Sequence, residues 1–211
     1  MKTHTINKKN NFIAGWYLDI PKVCDDLIET FEGSEKYVGR IGPKRKIRKK
    51  DKDSSDIAFY PDTFHPAVRA YMTELGLVAT AYKKLYPYCS RQHARWGIVE
   101  KVNIQRYLPT QGYHIRHFER EDGLSTSARH LTFMTYLNTV NDGGETEFYH
   151  QKFKAKPKKG LTLIWPADWT CTHKGIPSPT ETKYIITGWY SYLESHSTLS
   201  QKSTSLNEKV V

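Results

Sequence analysis

Two hydrophobic periods divide the chain. In the first half, apolar positions recur at helical spacing. Val23, Leu27, Ile28 and Phe31 form one stripe, behind an Asp19 able to cap a helix and a Pro21 suited to its first turn, with Gly33 as a stop. A longer stripe of Val68, Tyr71, Met72, Leu75, Ala79, Tyr82 and Leu85 predicts a second helix from Pro66 to about Tyr86, ended by Pro87. Ahead of both, Phe12 to Leu18 reads as a short apolar strand. From about Val99 the character changes to short runs rich in β-branched and aromatic residues: Val102–Leu108, Tyr113–Phe118, Arg129–Leu137, Thr146–His150, Leu161–Trp165, Thr170–His173 and Tyr184–Leu193. Turn residues separate them at Pro109, 141–144, 157–160, Pro166 and 177–179. Helices followed by a series of short strands predict a mainly β fold with flanking helices (α+β), a sandwich or barrel covered by helices on one outer face.

The length of 211 residues suits one domain. The expected organisation is a flexible N-terminus over 1–11, a single domain over 12–194 and a polar, Ser/Thr-rich, disordered tail over 195–211. Within the domain, 12–98 is the helical and lid part and 99–194 the barrel core. No apolar run approaches the roughly 20 residues that cross a bilayer, and Met1 to Asn11 lacks the apolar stretch of a secretory signal, so a soluble, cytoplasmic protein is expected. Cys24, Cys89 and Cys171 are scattered without a disulfide framework; Cys171 precedes His173 by two residues, but a second cysteine at zinc-site spacing is missing.

The formal net charge is +10, and much of it lies in Lys44–Lys52. Such a run reads either as a solvated loop or as a cationic lid facing substrate. Together with Asp53-Ser54-Ser55-Asp56 it is expected to form a mobile surface loop, too charged to pack inside.

The chemistry concentrates in Tyr113-His114-Ile115-Arg116-His117-Phe118-Glu119. Residues two apart on a strand share a face, so His117 and Glu119 can grip one side of a metal ion. His173 is the candidate for a third ligand from a distant strand. Two imidazoles and one carboxylate on one face leave open coordination positions, the pattern of non-heme iron(II) oxygenases; zinc is the alternative metal. Ten residues beyond His173, Lys183 begins a stretch in which Lys183, Ile185, Thr187 and Trp189 share a face. An inward lysine needs an anion. The distal carboxylate of a dicarboxylate chelator would supply it, and Trp189 is a candidate for the pocket floor.

Taken together, these residues resemble the prolyl 4-hydroxylase family of 2-oxoglutarate oxygenases over roughly Val102 to Tyr192. Tyr107-Leu108-Pro109 with Gly112-Tyr113 resembles the strand before the first metal histidine, and Arg129 with Tyr136-Leu137-Asn138 the next core strand. Gly143-Gly144-Glu145-Thr146-Glu147-Phe148 resembles the family's Gly-Gly-Glu-Thr-x-Phe turn, and Lys156–Gly160 with Leu163-Ile164-Trp165 the following strand pair. The resemblance implies a double-stranded β-helix, jelly-roll or cupin-like, supported by N-terminal helices. It also implies Fe(II), 2-oxoglutarate and O2, release of succinate and CO2, and ascorbate as a candidate reductant. His117, Glu119 and His173 would hold the metal. Lys183 would pair with 2-oxoglutarate, helped by Tyr107 and Thr146, with Tyr136 lining the pocket. The sequence departs from the pattern at Glu119, where the family usually has Asp.

The substrate implied is a peptide or protein side chain, with proline favoured. A nucleobase or small-molecule substrate is the second expectation, kept open by the basic charge. Against it, no arginine follows Arg129, where nucleic-acid demethylases of the superfamily carry one after the distal histidine. A non-catalytic binding barrel is the third.

Overall fold

The computed structural model describes residues 2–4, 11–42, 46–90, 95–121, 123 and 126–193. The expected tail over 195–211 lies outside the described residues, as do 5–10 of the N-terminus. Thirteen strands occur among the described residues. They are β1 (Thr3–His4), β2 (Ala14–Tyr17), β3 (Tyr37–Val38), β4 (Ser55–Phe59), β5 (Trp96–Gly97), β6 (Val102–Tyr107), β7 (Tyr113–His117), β8 (Arg129–Tyr136), β9 (Thr146–Phe148), β10 (Phe153–Ala155), β11 (Leu161–Pro166), β12 (His173–Gly175) and β13 (Lys183–Tyr192). Two α-helices, α1 (Lys22–Gly33) and α2 (Pro66–Leu85), precede β5. The major sheet runs β1-β2-β11-β8-β13-β6-β4-β3, with β5 extending the pairing of β13, and the minor sheet runs β10-β9-β12-β7. The architecture is a mostly β double-stranded β-helix with two helices. This is the expected fold, built as two sheets enclosing a core and not as a closed barrel.

The major sheet is buried on both faces, which explains the long apolar run of β8. Leu131 and Phe133 face the helices, packing with Leu27, Phe31, Val68, Tyr71 and Leu75. Met134 and Tyr136 point between the sheets, with Tyr107, Phe148, Leu163, Trp165 and Ile185. The alternation of β13 follows the same rule. Ile186 and Tyr190 join the helix-side core, and Lys183 and Ile185 are on the opposite face.

Several local expectations change. Asp19 does not cap α1; Pro21 holds the N-cap without a side-chain cap bond. The Asp19 and Ile20 N–H groups instead donate to the buried Glu74 carboxylate of α2, tying the two helices. Leu85, assigned to the α2 stripe, is half exposed, and Val78 takes its place inside. Thr3 and His4, within the expected flexible N-terminus, pair with β2. The strand expected at Thr170–His173 begins only at His173, because Trp169–Cys171 closes a 3-10 turn.

The largest correction concerns the segment read as a mobile loop. Ser55–Phe59 is β4, paired with β6. Asp51, Lys52, Ser54 and Asp56 are all buried. Their charge is tolerated inside because it is paired: Lys52 Nζ donates to Asp56 Oδ2 at 2.8 Å, and Ser54 Oγ to Asp56 Oδ1 at 2.7 Å. Lys52 also bridges to Tyr113, and His114 N–H donates to the Asp51 carbonyl. The segment therefore runs along the free edge of β7. Lys46–Lys50 keeps the expected exposure; residues 43–45 lie outside the described set.

Candidate metal centre

His117 ends β7, Glu119 follows two residues later, and His173 opens β12, paired directly with His117 in the ladder. The antiparallel register thus joins ligands far apart in sequence. Glu119 Oε1 lies 3.5 Å from His117 Nε2 and 3.4 Å from His173 Nε2. One donor atom from each of the three residues lies within 4.8 Å of the others, and they are the only such His, Cys, Asp or Glu group among the described residues. His114, on the same strand, is exposed and outside this cluster, and Cys171 is a buried free thiol that takes no part.

The tautomers suit metal binding. His117 Nδ1–H donates to the Ile115 carbonyl at 3.2 Å and His173 Nδ1–H to the Cys171 carbonyl at 2.9 Å. Each bond reserves the Nε2 lone pair for a ligand. Burial, reinforced by His173, lowers the pKa of His117 and favours the neutral ring a metal requires. Burial alone would raise the Glu119 carboxyl, but the facing His117 and His173 rings outweigh it and hold the group well below the usual carboxylate range. The site thus presents two imidazoles with Nε2 turned inward and a carboxylate, a donor set that fits a divalent metal.

β7 departs from a regular strand. His173 pairs with His117 and Gly175 with Tyr113, so a step of two residues on β12 faces a step of four on β7. Four residues of extended strand span about 13 Å. The bulge instead lays the Tyr113 ring flat on His117, with centroids 3.7 Å apart and planes at 13°. Phe148 and Trp165 pack around His173 from the core.

The triad opens into a cavity of about 550 Å³ whose walls include Tyr107, Tyr113, Thr146, Lys183, Trp189 and Lys52. Lys183 is 4% exposed. Its ammonium donates to the Gly144 carbonyl at 2.9 Å and the Ile176 carbonyl at 3.2 Å, and no ion pair satisfies it among the described residues. Gly144, at φ +77°, has the left-handed backbone that a glycine adopts readily. An ammonium has three donors, so one remains for a ligand. Burial depresses the Lys183 pKa to about 8. By contrast, Lys52 already has Asp56. Among the described residues, the one buried lysine on the cavity wall without a carboxylate partner is therefore the one the sequence pattern selected.

The other expected site residues divide. Tyr107 lies opposite Lys183 in the β6–β13 register, its ring centroid 5.1 Å from Nζ. Its hydroxyl donates to Gln105 Oε1 at 2.8 Å. Thr146 lines the cavity and accepts a 2.7 Å hydrogen bond from the Tyr136 hydroxyl. Tyr136 itself does not line it. Its hydroxyl also donates to the Ala155 carbonyl, so it is a fully buried support behind Thr146. Trp189 is on the expected face, but its Nε1–H donates to Glu119 Oε2 at 2.9 Å, at the metal end of the cavity rather than under Lys183. Sequence reasoning missed Glu100 and Gln105, gave Arg129 no part in the site, and placed Lys52 and Asp56 in a surface loop and not on a buried wall. These residues meet through strand register, and no local spacing marks them.

Residues 102–191 match the family model described as the 2OG-Fe(II) oxygenase superfamily. Solved structures of similar fold include the viral collagen prolyl hydroxylase of Paramecium bursaria Chlorella virus-1 in complex with 2-oxoglutarate, with 22% identity and TM-score 0.65 over 88% of this chain and 98% of that one. A prolyl-4-hydroxylase of Pseudomonas putida has 16% identity and TM-score 0.64 over 87% and 94%. A prolyl hydroxylase of Trichoplax adhaerens, solved with a peptide fragment of hypoxia inducible factor, has 16% identity and TM-score 0.66 over 95% and 89%. At these identities the likeness is one of fold. No curated protein matches the sequence. No helix among the described residues is long and apolar enough to cross a membrane.

Proposed function

We propose that the protein is an Fe(II)- and 2-oxoglutarate-dependent dioxygenase that hydroxylates a peptide side chain, with peptidyl-proline as the target and succinate and CO2 as co-products. The observation that carries this reading is the cavity that joins the His117–Glu119–His173 cluster to Lys183, a buried cation without a carboxylate partner among the described residues. A metal site alone fits many reactions. A metal site and a buried ammonium on one cavity fit a ligand that chelates at one end and carries an anion at the other. His117, Glu119 and His173 would hold the iron. Lys183, with Tyr107 and Thr146 beside it, would hold the distal carboxylate of 2-oxoglutarate. Bound iron with 2-oxoglutarate supplies the oxidising power for C–H hydroxylation.

The protein residues contribute orientation and water exclusion. The Nδ1 bonds fix both imidazoles, the Tyr113 stack holds the His117 plane, and the Phe148–Trp165 wall shields His173. Tyr37, Arg40 and Tyr60 also line the cavity, whose volume of about 550 Å³ leaves room for a second reactant beside the dicarboxylate. A peptide is the substrate favoured by the family resemblance and by the peptide-bound Trichoplax neighbour. The test is succinate release from 2-oxoglutarate with Fe(II) and a panel of proline-containing peptides, read with mass spectrometry for added oxygen. Succinate formation coupled to peptide oxidation supports the assignment. Absence of 2-oxoglutarate consumption by the iron-loaded protein under every condition would overturn it.

A further inference from the structure

Glu119 is one methylene longer than the aspartate usual in this family, so it has an additional torsion to fix before both imidazoles can share a metal with it. A relay of three residues surrounds it. Trp189 Nε1–H donates to Glu119 Oε2 at 2.9 Å, which leaves Oε1 facing His117 and His173. The Arg129 guanidinium lies over the Trp189 ring, 3.5 Å from its centroid, and its Nη1 donates to the Glu119 carbonyl at 3.0 Å. Glu100 then grips Arg129 through two hydrogen bonds, Nε to Oε1 at 2.8 Å and Nη2 to Oε2 at 2.6 Å. Each member fixes the plane of the next: carboxylate to guanidinium, guanidinium to indole, indole to metal carboxylate.

The charge distribution matters as much as the geometry. Arg129 is 3.6 Å from Glu119 Oε2, an ion pair beyond hydrogen-bond range, whereas its Nε and Nη2 are hydrogen-bonded to both oxygens of Glu100. Its positive charge is largely balanced there. Glu119 therefore receives a neutral N–H donor on one oxygen and keeps its anionic character for the metal on the other.

We infer that Glu100, Arg129 and Trp189 form a positioning clamp built for the glutamate, which holds Glu119 with one oxygen committed to the indole and the other to the metal. The inference rests on the reading of the triad as a metal site. It carries a consequence that the family pattern alone does not: Glu119→Asp should impair the centre although it supplies the usual residue. Shortening the side chain by one C–C bond, about 1.5 Å, withdraws the carboxylate from Trp189 beyond hydrogen-bond range.

The test is a double-mutant cycle on metal affinity, with Co(II) titrated into the metal-free full chain by calorimetry and by its ligand-field absorption. Trp189→Phe keeps a ring under Arg129 and removes only the N–H. It should weaken Co(II) binding about 10- to 100-fold, the range for loss of a partner of a metal ligand. In the Glu119→Asp background, the same change should alter affinity by less than about twofold, the limit for uncoupled sites. The ligand-field spectrum should change with Trp189→Phe in the glutamate protein and not in the aspartate background. Arg129→Lys, which loses the planar fork, should behave like Trp189→Phe if it folds; the Trp189 cycle decides the matter alone. Equal losses in both backgrounds, or no loss in either, would overturn the clamp. If the wild-type chain binds Co(II) but its iron form consumes no 2-oxoglutarate, the oxygenase reading fails while the cycle still decides the clamp. If the wild type binds no metal, both fail.

Discussion

Lys183 gives the most specific prediction, because it is a buried base whose pKa of about 8 lies within experimental reach. Burial is the cause, and Glu145 offsets it only in part. Below pH 8 the free protein holds the ammonium ready for an anion. Above it, a carboxylate ligand must first recover the proton. At pH 9 about one tenth of the free protein is protonated at Lys183, so affinity for 2-oxoglutarate should fall about tenfold, or about 1.4 kcal/mol, relative to its plateau. The fall should continue at about tenfold per pH unit until the bound-state pKa is reached. Fold stability should respond in the opposite direction. Between pH 8 and the ordinary lysine value of 10.5, the unfolded chain binds the proton that the folded chain has lost, so this residue's contribution to stability rises with pH. The full interval corresponds to roughly 3 kcal/mol.

The assay is calorimetric titration of 2-oxoglutarate into the Mn(II)-loaded protein from pH 7 to 9.5, in pairs of buffers with different ionisation heats to count protons taken up. Near pH 8 about half a proton should be taken up per ligand bound. Lys183→Arg is the control: its guanidinium stays charged throughout, so binding should be weaker but flat with pH. Wild-type affinity that stays constant across this range, or a slope that survives in Lys183→Arg, would refute the assignment of Lys183 as the anion anchor.

Other expectations follow from the same geometry. His117→Ala or His173→Ala should abolish turnover and reduce Co(II) binding to background; retained full activity in either would remove that residue from the centre. Tyr113→Ala removes the ring stacked on His117 and should weaken metal binding while leaving the far-ultraviolet circular dichroism unchanged. Asp56→Asn leaves Lys52 buried without its anion and should cost about 3–5 kcal/mol in urea unfolding; a loss under about 1 kcal/mol would show that the pair is solvated. Neutralising Lys46, Lys49 and Lys50 on the exposed part of the basic segment should leave 2-oxoglutarate affinity unchanged, measured by the same titration, since these residues do not line the cavity.

The sequence was most informative where chemistry depends on local alternation. Lys183 and Trp189 were assigned to one face of β13, and the strand is regular enough through that stretch for the assignment to hold. The same rule gave Tyr136 its inward face but not its depth, because the inner face of a sheet includes both cavity wall and solid core. Relations set by pairing were not legible. The bulge of β7 exists only relative to β12, and the approach of Arg129 to Trp189 depends on the β8–β13 register. Lys52 to Asp56 misled because single-residue polarity says surface, whereas the pair satisfies its own charges and can close the edge of a sheet.

The distribution of charge explains why a cavity this polar can exist within a fold so dependent on burial. Lys52 and Arg129, the cations paired with acids on its wall, are each matched to a nearby carboxylate, Asp56 and Glu100. Glu119 and Lys183 are less fully matched: Glu119 faces two imidazoles and has Arg129 only at 3.6 Å, beyond hydrogen-bond range, and Lys183 has carbonyls as its partners. Burying either charge without an opposite one is costly. A metal cation at the first and a carboxylate at the second each remove that cost, which enters the affinity of each ligand, so both should stabilise the native state by mass action. The two charges have opposite signs and lie on one cavity, so no single ion serves both. Metal and dicarboxylate should therefore raise the melting temperature in separate increments, and Lys183→Met should erase the second while preserving the first.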